Sequence, residues 1–210
     1  MRLVKYCCLI ITLTISITAY GINEKLLLGK INGQRYTSLE KRFSVDIPFE
    51  LNERNRNDLE IRETTNAAIS KVTFSHKLPY RPVYRMEIAS VTPSRARENP
   101  FEDAAYETLD WYKNLIERSF RTSITMLDDR EIKFNNRPTI YNLFKIRDPK
   151  TDYTLYHVFY LSDYQSHVGF CWVTFTLKNP ALDVENRIIQ GKWPMMTSTR
   201  DFCSSLKIGP

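Results

Sequence analysis

The sequence predicts an α/β sandwich of the α+β kind, a central antiparallel sheet packed by a long amphipathic helix and by C-terminal helices. Three observations carry the prediction. Short apolar-polar alternations fill the chain between Tyr36 and Val91, a stripe at helical spacing follows from Phe101 to Phe120, and alternation returns from Ile124 to Leu177.

The first alternation, Tyr36 to Pro48, reads as a strand pair in which Phe43, Val45 and Ile47 face away from Ser44 and Asp46, with Pro48 as its stop. Glu50 to Asp58 is polar and reads as a loop. Leu59 to Arg62 begins the next strand, Ile69 to Ser75 is another, and Val83 to Val91 a third, after the turn-like Leu78-Pro79-Tyr80-Arg81-Pro82. The helix then has Asn99 as its N-cap, Pro100 in the first helical position, and Glu102 and Asp103 at the positive end of the helix dipole. Phe101, Ala105, Leu109, Tyr112, Ile116 and Phe120 form its apolar stripe, broadened by Trp111 and Leu115.

Beyond the helix, Asp128-Asp129-Arg130 and Asn135-Asn136-Arg137 read as turn clusters and Pro138 to Ile146 as a strand, followed by a polar turn over Arg147 to Asp152. Tyr153 to Leu161 and Val168 to Leu177 make a long hairpin across Ser162 to His167. On its second strand Cys171, Val173, Phe175 and Leu177 share one face, while Phe170, Trp172, Thr174 and Thr176 share the other. Apolar residues on both faces predict a layer on each side of the sheet. Ala181 to Gln190 is helical with Gly191 as its cap, and Ser198 to Leu206 closes the chain as a helix with Phe202, Cys203 and Leu206 inward.

The N-terminus sets the expected compartment. Arg2 and Lys5 precede the uncharged apolar run Cys7 to Ala19, and Ala19-Tyr20-Gly21 offers small residues at the spacing of a cleavage site. The run is short for a permanent span, which needs about 20 apolar residues. The expected organisation is therefore a signal peptide over 1–21, an N-terminal arm over 22–35 containing Leu26-Leu27-Leu28, and a single domain over 36–210, in a periplasmic or secreted product. An uncleaved N-terminal helix is the alternative, and it would hold the protein on a membrane. Cleavage would leave 189 of the 210 residues and, by removing Arg2 and Lys5, lower the net charge from +6 to +4. The remaining charge is mixed in sign along the chain and forms no stripe of Lys and Arg, so nucleic acid is not an expected partner. Six glycines in the whole chain leave little material for phosphate-cradling loops, and no dinucleotide or nucleophile-elbow motif occurs.

Few residues suggest chemistry. Of four cysteines, Cys7 and Cys8 belong to the signal, leaving Cys171 and Cys203 either joined in one disulfide or buried as separate thiols. His157 and Cys171 fall on facing strands of the predicted hairpin, the minimum for a thiol nucleophile with a base. His76, His157 and His167 lie in no metal-binding spacing, so no metal and no cofactor is expected. Glu102/Asp103 and Asp128/Asp129 are accounted for by helix-end and turn chemistry. For binding, Arg95 and Arg97 sit on a Pro-bounded loop, with Arg81 and Arg85 nearby in sequence, and could engage carboxylates or lipid phosphates; a solvated loop is the plainer reading. Trp193 and Met195, in Trp193-Pro194-Met195-Met196, are either an exposed binding edge or part of the packing on the sheet.

The opening Phe43-Ser44-Val45-Asp46-Ile47-Pro48 resembles the F-x-V-x-x-P strand of the PsbP-like superfamily, which includes small exported bacterial proteins of the DcrB type. Asn136-Arg137-Pro138-Thr139-Ile140-Tyr141 looks like the turn and strand after that family's central helix, and Phe202-Cys203-Ser204-Ser205-Leu206 like its terminal helix ending. The resemblance covers most of 36–208 and implies the α/β sandwich. It implies no reaction, since the family has no shared catalytic set, and it suggests an accessory protein that binds another protein in the bacterial envelope or periplasm. The thiol-dependent enzyme built on Cys171 and His157 is the competing expectation.

Overall fold

The computed structural model describes residues 29–51, 58–66, 68–90, 100–164 and 167–209. The alternating segments form strands β1 (Lys30–Asn32), β2 (Arg35–Thr37), β3 (Phe43–Asp46), β4 (Leu59–Thr65), β5 (Ile69–His76) and β6 (Val83–Ser90). Helix α1 spans Pro100–Phe120 and is followed by β7 (Thr125–Phe134), β8 (Arg137–Arg147), β9 (Tyr153–Asp163) and β10 (His167–Lys178). Helices α2 (Leu182–Ile189) and α3 (Pro194–Ser204) and the short β11 (Lys207–Ile208) complete the chain. Two antiparallel sheets result, of order β1-β2-β3-β11 and β4-β5-β6-β10-β9-β8-β7.

The larger sheet is two meanders joined edge to edge. From β6 the chain crosses by α1 to the far edge at β7, then returns strand by strand until β10 pairs with β6, Cys171 opposite Met86 and Trp172 opposite Arg85. This crossover carries α1 over one face of the sheet. Ala105, Leu109, Tyr112 and Ile116 pack there against Ile140, Phe144, Phe159, Leu161, Phe170 and Trp172. On the opposite face, Val72, Phe74, Met86, Val158, Cys171 and Val173 meet Tyr36, Phe43 and Val45 of the smaller sheet and Ile188, Met196, Phe202 and Cys203 of α2 and α3. The large sheet is thus sandwiched, as the apolar residues on both faces of β10 require.

Several local details differ from the sequence reading, each for a physical reason. Asp128-Asp129-Arg130 is no turn; it lies within β7, where a register shift between Met126 and Asp128 marks a bulge. Among the described residues β7 is an edge strand that hydrogen-bonds on one side only, and charged residues beside a bulge guard such an edge against further pairing. The predicted turn at Asn135-Asn136 does form, both residues having positive φ, 50° and 61°, which asparagine tolerates. Helix α3 begins at Pro194, four residues before the predicted Ser198, because proline needs no amide donor in the first turn. Helix α2 closes on Gly191, at φ 70°; the amides of Gly191 and Lys192 bond back to the carbonyls of Ile188 and Arg187. The small sheet already begins at Lys30, inside the segment read as an arm, while Leu26 to Leu28, the signal region and Asn99 lie outside the described residues.

A buried carboxylate ties the two sheets together. Glu63 on β4 accepts the Tyr36 hydroxyl at 2.5 Å and the Leu39 amide at 3.0 Å. Burial, and then Glu63 itself, pushes the Tyr36 phenol well above its usual range, so it stays a donor.

Candidate functional site

Trp193 and Met195 stand at the corner where α2 gives way to α3. The Schellman closure of α2 turns the chain so that Trp193 becomes the N-cap of α3, and the Arg187 guanidinium lies 5.2 Å from the centre of the Trp193 ring. Both residues are half-buried and pack on the apolar core of that face. Met195 is further anchored by the Tyr84 hydroxyl, which donates to its Sδ at 3.2 Å. Phe49 meets the Tyr84 ring edge-on at 5.2 Å and the His76 ring at 4.2 Å. Burial, reinforced by the Arg81 charge, holds the His76 imidazole below its usual pKa. The corner therefore presents a Trp face and a Met flank at the surface while their inner sides are packed.

Arg95 and Arg97, the other part of the predicted binding surface, lie outside the described residues. In the chain they follow β6, whose last residue, Ser90, pairs with His167. Tyr84, which holds Met195, is near the beginning of the same strand. At about 3.4 Å per residue these two points are roughly 20 Å apart. Trp193 and Met195 thus belong to one end of the sheet, and β6 leads away from them to the other.

The thiol-enzyme expectation is overturned. His157 pairs with Thr174 and Cys171 with Tyr160, so the imidazole and the sulfur project from opposite faces of the sheet. Cys171 is bonded to Cys203, with Cα atoms 5.6 Å apart, and so presents no thiol. His157 and the end of the hairpin near Asp163 and His167 are separated by most of β9, and among the described residues no group of His, Cys, Asp and Glu is arranged to hold a metal ion. Glu102 and Asp103 occupy the first turn of α1, and Asp128 pairs with Arg130 at 3.3 Å on the β7 edge.

Where His157 does point, sequence reasoning missed a cluster of polar groups sealed between α1 and the sheet. Trp172 Nε1 donates to His157 Nδ1 at 3.2 Å, the Thr174 hydroxyl lies 3.1 Å from the same nitrogen, and Phe144 stacks over the ring at 4.9 Å. Full burial drives the imidazole pKa down to about 3, so the ring is neutral at ordinary pH. Its Nε2 has no hydrogen-bond partner among the described residues. Alongside, Arg85 Nη1 donates to the Tyr112 hydroxyl, which donates in turn to Glu87, both at 3.2 Å. The guanidinium of Arg85 lies 4.7 Å from the Trp172 ring centre. Burial, then the Glu87 charge, raises the Tyr112 pKa far above its usual value. The signal for this cluster was present in Val83 to Ser90, where Arg85 and Glu87 alternate with Tyr84, Met86 and Ile88; it marks a charged face, and only the crossover by α1 buries that face.

The order of elements defines the class: an α+β sandwich built from strands, a long helix, a meander and terminal helices. No family model and no curated protein matches the chain. Among solved structures it is similar to cyanobacterial PsbP (CyanoP) from Synechocystis sp. PCC 6803, with TM-score 0.48 and 10% identity over 86% of this chain and 98% of that one. It is also similar to the Saccharomyces cerevisiae Ran-binding protein Mog1p, with TM-score 0.46 and 5% identity over 85% and 96% of the two chains. A protein from Bacteroides thetaiotaomicron VPI-5482 shows TM-score 0.45 and 10% identity, over 86% of this chain and 50% of its own.

Proposed function

We propose that this chain is an exported accessory protein that binds another protein in the bacterial envelope or periplasm, with no catalysis or cofactor of its own. The observation that carries the reading is the Trp193 corner. An indole with Arg187 over its ring, two residues from a Met195 held by Tyr84, keeps an aromatic and polarisable surface at the edge of the domain, the composition that interface centres favour. Support for export comes from Arg2, Lys5 and the apolar run before Gly21, together with a Cys171–Cys203 bond of the kind that persists in oxidising compartments. The two clusters with the makings of chemistry, around His157 and around Arg85, are enclosed by α1 and serve its packing.

The test has two arms. Cell fractionation with N-terminal sequencing is expected to find a soluble envelope product beginning at Ile22; retention in the membrane with Met1 intact would defeat the export part. Crosslinking capture is then compared between the wild type, Trp193→Ala and Arg95→Glu/Arg97→Glu. One discrete protein held by the wild type and lost with Trp193→Ala is the expected result, and the arginine variant reports separately on the other end of β6. Equal capture by all three would remove both surfaces from the proposal.

A further inference from the structure

At the end of the sheet away from Trp193, a cleft of about 340 Å3 is lined by Asn135, Arg137, Tyr164, Leu206, Lys207 and Ile208. Its construction begins with Gly169. A Cβ there would come within 2.5 Å of the Tyr164 ring and 3.0 Å of Leu206, so only glycine lets that ring lie down on β10. The Arg137 guanidinium lies over the Tyr164 ring, 4.0 Å from its centre. Asn135, in the left-handed turn before Arg137, donates its amide to the Ser204 carbonyl at 3.1 Å and so closes the β7–β8 hairpin onto the end of α3.

Two cationic residues, Arg137 and Lys207, line this cleft. Arg137 has five donor hydrogens, and the contact it makes is a long one, 3.4 Å from Nη1 to the backbone carbonyl of Asp163. Lys207 is exposed. Neither is in an ion pair with a carboxylate of the described residues. Tyr164, Leu206 and Ile208 add apolar groups to a lining that is otherwise polar. Lys207 and Ile208 also form β11, which ends the four-stranded sheet and pairs only with β3. Among the described residues no strand lies along its outer backbone edge.

We propose that this cleft receives an extended acidic segment of the protein partner, its backbone along the outer edge of β11 and one carboxylate between Arg137 and Lys207. The inference rests on the protein-binding reading above and gives the partner its chemistry. A guanidinium held over an aromatic ring is pre-organised for the planar, two-pronged carboxylate, and the Lys207 ammonium adds a second charge to the lining. Strand addition supplies backbone hydrogen bonds, while alternate side chains of the guest meet Tyr164, Leu206 and Ile208. A free phosphate would use the two cations but leave Tyr164, Leu206 and Ile208 without contacts, which is why a peptide is the better fit.

The experiment measures fluorescence anisotropy of a labelled eight-residue peptide alternating Val or Thr with Glu, against the full chain at low ionic strength. Its Gln-for-Glu counterpart and inorganic phosphate as competitor complete the set. The Glu peptide is expected to bind, the Gln peptide to bind about tenfold more weakly, and Lys207→Gln and Arg137→Gln each to weaken the Glu peptide by about threefold to tenfold. Backbone amide shifts of Lys207 and Ile208 on titration locate the peptide independently and keep the test valid if Arg137→Gln disturbs Tyr164. No binding, equal binding of the two peptides, full affinity in Lys207→Gln, or displacement by phosphate at concentrations matching the peptide would overturn the proposal. Repeating the crosslinking capture with Lys207→Gln separates the two readings. Capture unchanged by the substitution removes the cleft and leaves protein binding intact; peptide binding with no captured protein removes the accessory role and leaves the cleft.

Discussion

The two faces of the seven-stranded sheet are closed in different ways. Beneath the small sheet and α2 and α3 the contact is mainly apolar, with Phe74 edge-on to Tyr36 at 5.7 Å and to Phe202 at 5.9 Å, and the buried Glu63 carboxylate there is hydrogen-bonded to Tyr36 and Leu39. Beneath α1 the apolar stripe shares its interface with Arg85, Glu87, Asn142 and His157, all buried. Atoms without partners gather there too: Arg85 Nε, both amide atoms of Asn142 and His157 Nε2. The first face gains stability from surface removed from water and from close packing. The second gives some of that gain back to desolvated polar groups, since a buried donor or acceptor without a partner costs about 1–3 kcal/mol. The small-sheet face is accordingly the anchor of the fold, and the α1 face the one whose stability responds to pH and to polar substitution.

The largest expected effect breaks the apolar face. Phe74→Ala empties a fully buried site between Tyr36 and Phe202 and should cost about 3–5 kcal/mol in urea unfolding. A loss under about 1 kcal/mol would mean that this face is not the anchor. Next comes the cross-link on the same side. Cys171→Ala/Cys203→Ala opens a loop with sequence separation 32, and a decrease of about 3 kcal/mol relative to the oxidised wild type is expected.

The remaining predictions sharpen the contrast from the α1 side. His157 is held neutral down to about pH 3, while the unfolded chain protonates it near its ordinary value of 6.5. Above the unfolded pKa the group adds no pH dependence. As the pH falls below it, the unfolded state alone takes up the proton, and stability declines by about 1.4 kcal/mol per unit, or about 2 kcal/mol by pH 5. Paired urea titrations at pH 7 and pH 5 should therefore show a smaller acid loss in His157→Gln than in the wild type; equal losses would place the acid sensitivity elsewhere. The smallest effect has the opposite sign. Asn142→Leu replaces two unpartnered buried atoms with an apolar side chain of similar size and should stabilise the fold by about 1–2 kcal/mol. A thermal melt that moved down instead would show that the amide has a partner under α1 that the protein atoms do not provide.

Much of this architecture was legible in the chain. Phe101 to Phe120 marked α1 to within a residue of its observed ends because a stripe at every third or fourth position has no competing interpretation at that length. Phe170/Trp172 against Cys171/Val173 announced a sheet covered on both sides. The misreadings arose where local chemistry was weaker than its surroundings. Asp128-Asp129-Arg130 has the composition of a turn, yet an antiparallel neighbour on one side keeps it extended. For the sites the balance is less favourable. Trp193 and Met195 were visible as residue types, whereas the Arg187 and Tyr84 contacts that pose them were not. Arg137 was read only as part of a turn and of the strand after it, and Tyr164, Gly169 and Lys207 were not singled out at all, since nothing in their spacing joins the four.

The sequence by itself determined the elements, the apolar side of each strand, the sandwich class and the pair of cysteines available for a bond. Those properties follow from periodicities of two and about 3.6 residues, which neighbours a few positions apart impose on one another. Only the tertiary structure decided that β10 closes against β6, that α1 seals Arg85 and Glu87 beneath Tyr112, that Cys203 reaches Cys171 and that β11 meets the end of β8 across a basic cleft. These are pairings between segments far apart in the chain. Which edges meet depends on how every face finds cover at once and on which loops can close, and no local pattern records that outcome.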